Sequence, residues 1–449
     1  MTQPHLSDLT EALLDAARSA GAEAADALVV DGRSVSIDVR GGALEQAERS
    51  EGIELGLRVL MDGRQACVSA SDLSARTIGE MAERAVAMAR EAPQDPYIGL
   101  ADPSQLARDW DIASLELEDT SPEPAAADLE ADARAAEAAA LAVEGVAQVQ
   151  SASASYSRRR MHLATSNGFS GGYGRSSRSV SAVAISGEGL SMERDWAAES
   201  RIFQADLPSA EEVGHLAGQR AVERAQPRRP RTGAYPVLLD ERIAGSLIGH
   251  LTAAVNGSAI ARGASWLRDA LGAQVLPEGI SLIEDPHRAR VSGSRPFDAE
   301  GLPTTRRAIV ENGVLTGWTL DLATARKLGM QSTASASRGT SSPPSPGTGN
   351  TMLTQGCRSR EDLIREMGTG LLVTSFIGST INPTTGDYSR GASGFWVENG
   401  EIQYPVNECT IAGNLREMLL RITPANDARM HLTQVVPSLL VEGLTLAGQ

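Results

Sequence analysis

Lysine, cysteine and aromatic residues are scarce in this chain of 449 residues. Lys327 is the only lysine, and 41 basic residues face 57 acidic ones, for a formal net charge of −16. The sequence therefore argues against a nucleic-acid partner, because phosphate binding requires a basic surface. The three cysteines, Cys67, Cys357 and Cys409, cannot all pair within one chain, so the sequence favours a reducing compartment over a disulfide framework.

Long hydrophobic runs are also lacking. Residues 1–21 show no basic segment followed by an apolar one, so they do not resemble a secretory signal. No stretch approaches the ~20 apolar residues that span a bilayer. The sequence therefore predicts a soluble, cytoplasmic protein with no membrane partner. Its length, with 41% hydrophobic residues, suffices for two or three domains.

Two similar patterns of helix, strands and helix fill the first half of the chain. In the first, helical spacing at 7–20 and 73–91 flanks alternating strands near 35–39 and 53–59. Asp31-Gly32 and Asp62-Gly63 are hairpin turn signals within this unit. In the second, helical patterns at 125–143 and 208–225 flank strands from 146 to about 204. We predict an α+β domain at 1–230 with an internal duplication, about 7–91 and 125–225.

Strand patterns dominate the second half. AQPRRPRTGAYP, at 225–236, contains three prolines and predicts the domain boundary. RRAIVENGVLTGWTL and GFWVENGEIQYPV each place Glu-Asn-Gly between apolar residues, which indicates two hairpins. Helical patterns are limited to 241–256 and the region near 360–368. We therefore predict that residues 231–449 form a mostly antiparallel β-sheet or barrel with a few helices.

His250 lies in a helical pattern, at the place where a zinc-binding helix carries a ligand. The residues that recur every four positions form the predicted buried stripe beside it: Ile243, Leu247, Leu251 and Val255. A zinc site needs a second ligand about one turn away and a carboxylate that activates water. The positions four and five residues away hold none of the usual ligands: Gly245, Ser246, Ala254 and Val255. We predict no metal site on this helix alone and a structural role for His250.

Two further residues invite a catalytic interpretation. Cys409 could join His250 as a soft metal ligand, but two ligands without a third make a poor zinc site. The alternative is that Cys409 is a small buried apolar side chain. GFSGG, at 168–172, matches G-x-S-x-G, but its context is a turn between strands rather than the strand-to-helix turn that a nucleophile elbow requires. We predict no catalytic serine there.

Two glycine-rich segments are candidates for substrate binding. SRGTSSPPSPGTGN, at 337–350, includes Arg338 and Gly339, and is either a surface loop or an extended segment that lines a groove, since glycine allows another backbone to approach closely. NPTTGDYSRGASGFW, at 382–396, places four polar residues before a strand: Asp387, Tyr388, Ser389 and Arg390. These side chains either bind substrate or satisfy a turn, and their spacing does not decide between the two.

Several stretches together resemble the PmbA/TldE branch of the TldD/PmbA family. They include IGHLTAAVNGSAIARGASWLRDALGAQVLPEGI, GSRPFDAEGLPTTRRAIVENGVLTGWTLD, SRGTSSPPSPGTGN and NPTTGDYSRGASGFWVENGEIQYPVNECTIAGNL. The likeness is specific over about residues 235–449 and weaker through the first half.

The resemblance implies a cytoplasmic subunit of a zinc metallopeptidase that cleaves unfolded or modified peptides. In this family the TldD-type subunit carries zinc on an H-E-x-x-x-H helix with a later cysteine, and the PmbA/TldE-type subunit lacks that set and completes the substrate chamber. His250 matches only one of the two histidines, and Cys409 stands about where the cysteine ligand would be. The resemblance therefore implies no zinc in this chain, a zinc-bearing TldD-like partner and an unfolded peptide as substrate. The alternative is an autonomous homodimeric metallopeptidase or hydrolase that uses His250 and Cys409.

Overall fold

The first half of the molecule is an antiparallel sheet with helices on one face. The computed structural model describes residues 5–448. The strands of this half are β1 Ala24–Arg40, β2 Ala43–Met61, β3 Arg64–Ala70, β4 Val146–Thr165, β5 Ser170–Ser186 and β6 Glu193–Arg201. The helices are α1 Leu6–Ser19, α2 Ala75–Glu91, α3 Ala126–Leu141 and α4 Ala210–Glu223. The strand order is β3-β2-β1-β4-β5-β6, so a unit of helix, three strands and helix occurs twice along the chain.

Strand β1 contributes to three separate hydrophobic cores, because its successive side chains point to opposite faces of the sheet. Ala25, Ala27 and Val29 pack with α1 and α2, and Val35, Ile37 and Val39, on the same face further along, pack with α3 and α4. Leu28 and Val30 point to the opposite face and pack against Phe297 of the second half. The sheet is therefore buried on both faces where it meets the rest of the chain.

One of the two turn predictions in this region is wrong. Asp62 and Gly63 form the turn between β2 and β3, with φ of 47° and 67°. Asp31-Gly32 does not turn, because β1 runs through it and Gly32 pairs with Gly52 of β2 and Arg159 of β4. The chain reverses instead at Gly41 and Gly42, which have φ of 61° and 71°.

The second half contains a β-barrel and a smaller five-stranded sheet. Its strands are β7 Gly233–Leu239, β8 Leu282–Glu284, β9 Arg307–Glu311, β10 Val314–Leu315, β11 Ala336–Ser337, β12 Ser345–Pro346, β13 Thr351–Leu353, β14 Gly370–Ile381, β15 Asp387–Glu398, β16 Glu401–Asn414, β17 Ile422–Pro424, β18 Gln434–Val435 and β19 Leu439–Ala447. Its helices are α5 Glu241–Ala254, α6 Gly257–Ala261, α7 Leu322–Leu328, α8 Arg360–Met367 and α9 Leu415–Leu420.

Five strands close the barrel, in the order β16-β15-β14-β7-β19. Pairing between β16 and β19 completes the ring, and the pair β7–β14 is its parallel contact. Leu239 and Val373 lie in the same core as α5, whereas Leu238 and Leu372 pack with α8 on the other face. The α+β class with a barrel in the second half is confirmed.

Local turn chemistry explains the two predicted hairpins of this half. Asn312-Gly313 joins β9 to β10 and Asn399-Gly400 joins β15 to β16, and all four residues have positive φ.

Residues 224–232 connect α4 to β7. The division into domains 1–230 and 231–449 stays a prediction. Within residues 5–448, no helix combines the length and the apolar character that crossing a membrane would demand.

Candidate functional site

Helix α5 carries His250 and begins directly after barrel strand β7. The side chain of Asp240 caps the helix by accepting a hydrogen bond from the backbone N–H of Arg242, and it also pairs with the guanidinium of Arg360. The face that packs on the barrel consists of Ala244, Leu247, Ile248, Leu251 and Ala254. Three residues of the predicted stripe are buried, whereas Ile243 is half-buried.

His250 is half-buried next to Tyr388 of strand β15. The two rings meet edge to face with centroids 5.8 Å apart. Burial lowers the pKa of His250, and the positive charge of Arg390 lowers it further, so the imidazole is neutral at neutral pH. Its Nε2 atom is buried and has no hydrogen-bond partner among residues 5–448. A neutral, unpartnered nitrogen is the one feature here that would suit a metal ligand.

Arg390 makes this environment unfavourable for a cation. Its guanidinium lies over the ring of Phe376, 4.2 Å from the centroid, and its Nε donates to the carbonyl of Gly378 at 3.0 Å. These contacts fix a positive charge close to His250. A divalent ion at His250 would be repelled by this charge.

Cys409 does not present a thiolate to this site. The side chain is 4% exposed, and its Sγ donates to the carbonyl of Ala392, which faces it in β15. Burial raises its pKa to about 11, so it stays a protonated thiol at neutral pH. Across residues 5–448, no cluster of three or more His, Cys, Asp or Glu side chains has an arrangement that could hold a metal ion. The donor set around His250 therefore does not fit zinc.

The polar residues of 387–390 divide between the two faces of β15. Tyr388 is 3% exposed, and burial raises its pKa to about 12 although Arg390 opposes the shift. Asp387 is exposed, and it accepts hydrogen bonds from Thr385 Oγ1 and from the side-chain amide of Asn414. These bonds lower the pKa of Asp387. Ser389 is half-buried and lies between Asp387 and Arg390 in the strand.

Arg338 and Gly339 lie elsewhere, where the second half meets the first sheet. The Arg338 side chain is 0% exposed and forms an ion pair with Asp26 of β1, which also accepts a hydrogen bond from Arg58 at 2.7 Å. Burial opposes ionisation of Asp26, but the two arginines outweigh it and hold the pKa of this carboxyl below its ordinary value. The backbone N–H of Gly339 donates to Ser342 Oγ. The structure thus brings Tyr388 and Arg390 to His250 and places Arg338 in a different environment.

Sequence reasoning missed a group of buried acidic residues in the second half of the chain. Asp298, Glu300 and Asp321 are all at least nine-tenths buried. Burial, followed by the charges of Asp298 and Asp321, raises the pKa of Glu300 well above its ordinary value. The signal in the sequence was weak, because a carboxylate between apolar residues, as in RPFDAEGL, resembles an ordinary surface position.

Ser170 of the GFSGG motif has a histidine neighbour. Its hydroxyl lies 3.4 Å from Nε2 of His162, whose Nδ1 lies 2.9 Å from the hydroxyl of Thr10. Ser170 begins β5 after a hairpin from β4, and a strand rather than a helix follows it. The geometry of a nucleophile elbow is therefore not formed at this serine.

Family models and similar proteins of known sequence point to the same family over most of this chain. Family models match at 25–89 (PmbA/TldA metallopeptidase domain 1), at 116–226 (the central domain) and at 232–448 (the C-terminal domain). Metalloprotease PmbA of Escherichia coli O157:H7 is 37% identical over 440 residues, which cover 97% of this chain and 94% of that protein. A PmbA homologue of Haemophilus influenzae is 36% identical with the same coverage.

Two solved structures share the fold. A protein of Bacteroides thetaiotaomicron, described as a candidate modulator of DNA gyrase, is 26% identical, with a TM-score of 0.92 and complete coverage of both chains. TldE of Thermococcus kodakarensis is 20% identical, with a TM-score of 0.86 and coverage of 98% of this chain and 100% of that one. The second likeness is one of fold alone.

Proposed function

Since this chain belongs to the PmbA/TldD family of metallopeptidases, we propose that it is the PmbA/TldE-type subunit of a two-subunit zinc peptidase of the cytoplasm. In this proposal a TldD-like partner holds the zinc ion, and the present chain completes the chamber that admits unfolded or modified peptides. Peptide specificity is then shared, whereas the chemistry belongs to the partner.

The environment of His250 is the observation that carries the proposal. A zinc helix would place a second ligand and a catalytic carboxylate next to this histidine. Here its neighbours are the phenol of Tyr388 and the guanidinium of Arg390, which add an aromatic wall and a positive charge. In this proposal Arg390 contacts the peptide substrate, because a guanidinium pairs with a carboxylate or a carbonyl oxygen of an extended chain.

An exposed cleft lined by both apolar and charged residues supports a role for a partner protein. The cleft, of about 600 Å³, lies between β6 and β14. Trp196 and Ile377 line it and are 51% and 65% exposed, and Met192 and Phe376 continue the same surface. Exposed apolar residues that adjoin one another are typical of protein contacts. We assign this cleft to the TldD-like subunit.

The unpartnered Nε2 of His250 favours the alternative function, a peptidase or hydrolase that acts alone as a homodimer. In that case His250 and Cys409 would bind the metal together with a group from the second copy. The high pKa of the Cys409 thiol counts against this alternative, because the thiolate is the form that binds metals.

Zinc content and peptidase activity on an unfolded peptide distinguish the two functions. We expect no stoichiometric zinc and no activity in this chain alone, and activity when it is mixed with the TldD-like protein of the same genome. Stoichiometric zinc with activity in this chain alone would overturn the proposal.

Variants sharpen this test. His250→Ala should retain the activity of the mixture to within about twofold, as should His215→Ala, which changes an exposed histidine of α4. Trp196→Glu should abolish co-elution of the two subunits without unfolding the chain. Loss of activity in His250→Ala but not in His215→Ala would favour the autonomous site.

A further inference from the structure

A cavity of about 140 Å³ lies between the first sheet and the second half of the chain. Strands β1, β4 and β5 form one side, and residues 295–299 and 336–338 form the other. The cavity lies on the face of the sheet opposite the four helices α1 to α4, because Leu28 and Val30 line it while Val29 packs with the helices.

Four arginines line this cavity: Arg159, Arg175, Arg295 and Arg338. Asp298 is the one acidic residue of the lining, and its two oxygens accept hydrogen bonds from the backbone N–H groups of Glu300, Leu302 and Ala336. Its carboxylate is therefore already bound by the backbone. The lining carries more positive than negative charge.

Two of the four guanidinium groups, those of Arg175 and Arg295, are held in place by carbonyl oxygens. Arg175 donates to the carbonyls of Ser292 and Ser294 at 2.7 and 2.6 Å. Arg295 donates to the carbonyls of Ala336 and Gly347 at 3.1 and 3.3 Å. Carbonyl oxygens orient an arginine but do not neutralise it, so both groups keep their charge available to an anion.

The other two arginines differ in how far a ligand can reach them. Arg338 shares the single carboxylate of Asp26 with Arg58, and its Nη2 atom is buried without a hydrogen-bond partner among residues 5–448. Because the Arg338 side chain is 0% exposed, this donor is closed to a ligand as it is to water, and Arg338 contributes only its charge to the cavity. Arg159 is exposed, and its guanidinium makes no hydrogen bond or ion pair within the described part of the chain.

The remaining walls are apolar. Leu28, Val30, Met161 and Phe297 line the cavity, and Tyr173 packs its ring against Phe297 with centroids 5.5 Å apart. An apolar protein cavity of roughly 150 Å³ accommodates benzene. The space therefore suits one ring or one branched side chain.

We propose that this cavity binds a carboxylate carried by an apolar group about the size of a benzene ring. The apolar group packs on Met161 and Tyr173, and the carboxylate pairs with Arg159 and lies close to the guanidinium of Arg175. Such a carboxylate has two possible sources, a free small acid and the C-terminal residue of a peptide.

Benzoate and benzamide provide the first test, because they share a shape and differ in charge. With the full-length protein, calorimetry at millimolar ligand should show saturable binding of benzoate and none of benzamide. Arg159→Gln should weaken benzoate binding by about tenfold, since one charge-assisted contact is lost. The matched control is Arg160→Gln, whose residue pairs with Glu118 and lies outside the cavity lining. It should bind benzoate as the parent does.

Equal binding of benzoate and benzamide, no benzoate binding, or an unchanged affinity in Arg159→Gln would each overturn the proposal. If Arg159→Gln were misfolded by circular dichroism, Arg159→Lys replaces it, and should retain part of the affinity by keeping the charge. N-acetylated tripeptides that end in leucine, with a free or an amidated C-terminus, then distinguish the sources. Tighter binding of the free form than of benzoate assigns the site to peptide ends, and weaker binding assigns it to small acids.

Discussion

Arg338 forms an ion pair with Asp26, although 312 residues separate them in the chain. Both side chains are almost fully buried, and Arg58 approaches the second oxygen of the same carboxylate. One negative charge thus balances two positive ones at the place where the second half of the chain rests on β1. Removal of that charge should be felt by the whole molecule.

Asp26→Asn should lower the free energy of unfolding by about 3–5 kcal/mol, because it leaves Arg58 and Arg338 buried without a counter-charge. Urea unfolding at neutral pH measures the change. Asp15→Asn is the control, since Asp15 pairs with Arg18 on the exposed surface of α1, where such pairs contribute about 0–1 kcal/mol. Equal losses in the two variants would contradict the importance of the buried pair.

Gly56→Ala should destabilise the protein by about 1–3 kcal/mol, the usual cost of overpacking. A Cβ atom at Gly56 would lie 2.4 Å from the backbone oxygen of Thr340, two residues after Arg338. Gly52→Ala, in the same strand, is the matched control because nothing lies within 4 Å of its Cβ position. Thermal unfolding of both variants is the measurement, and no difference between them would show that the 338–340 segment moves aside freely.

Glu300→Gln should make the protein more stable at neutral and higher pH. Burial, then Asp298 and Asp321, raise the pKa of Glu300 well above its ordinary value, so the folded protein keeps a proton that the unfolded chain releases. Stability then falls as pH rises from the ordinary value of 4.5 to the folded pKa, by about 1.4 kcal/mol per pH unit. Glutamine keeps an oxygen that can accept the bond from the backbone N–H of Leu322.

The pH dependence of unfolding tests this prediction, with Glu278→Gln as the control variant. Denaturant unfolding from mildly acidic to alkaline pH should show a flatter profile in Glu300→Gln than in the parent. Glu278→Gln changes an exposed glutamate and should follow the parent. A Glu300→Gln profile that runs parallel to the parent would mean that Glu300 is ionised in the folded protein.

Iodoacetamide should label Cys357 in the folded protein and Cys409 only after denaturation. Cys357 is exposed, whereas the Cys409 thiol is buried and donates a hydrogen bond to the carbonyl of Ala392. Burial raises the pKa of the Cys409 thiol to about 11. Alkylation requires the thiolate. Peptide mass spectrometry after timed labelling at neutral pH gives both rates. Rapid labelling of Cys409 would contradict its burial.

Turn dipeptides and hydrophobic periodicity in the sequence predicted most helices, strands and hairpins. They did not predict contacts between residues far apart in the chain. Asn312-Gly313 and Asn399-Gly400 turn because both residues tolerate positive φ, a property of the dipeptide itself. Asp31-Gly32 carries a similar signal and fails, since the pairing of β1 with β2 and β4 on both sides outweighs it. Short helices such as α7, of seven residues, have too little periodicity to be recognised.

The candidate site shows the same division. The spacing of Leu247, Leu251 and Val255 was sufficient to place His250 beside a buried stripe. The approach of Tyr388 and Arg390 to His250 depends on β15, which begins more than 130 residues later, and no pattern in α5 encodes it. The partnership of Arg338 with Asp26 is likewise invisible until the two halves are folded together.

The order of strands in the barrel has a consequence for biosynthesis. Strand β7 is the first of the five barrel strands to leave the ribosome, but Val237 pairs with Leu371 of β14 and with Val441 of β19, both made much later. Until then the segment YPVLL has two open edges and an apolar sequence, a combination that promotes association with other chains. The nascent protein therefore has to be shielded, by its own completed first half or by a chaperone, for most of the time that its second half takes to be synthesised.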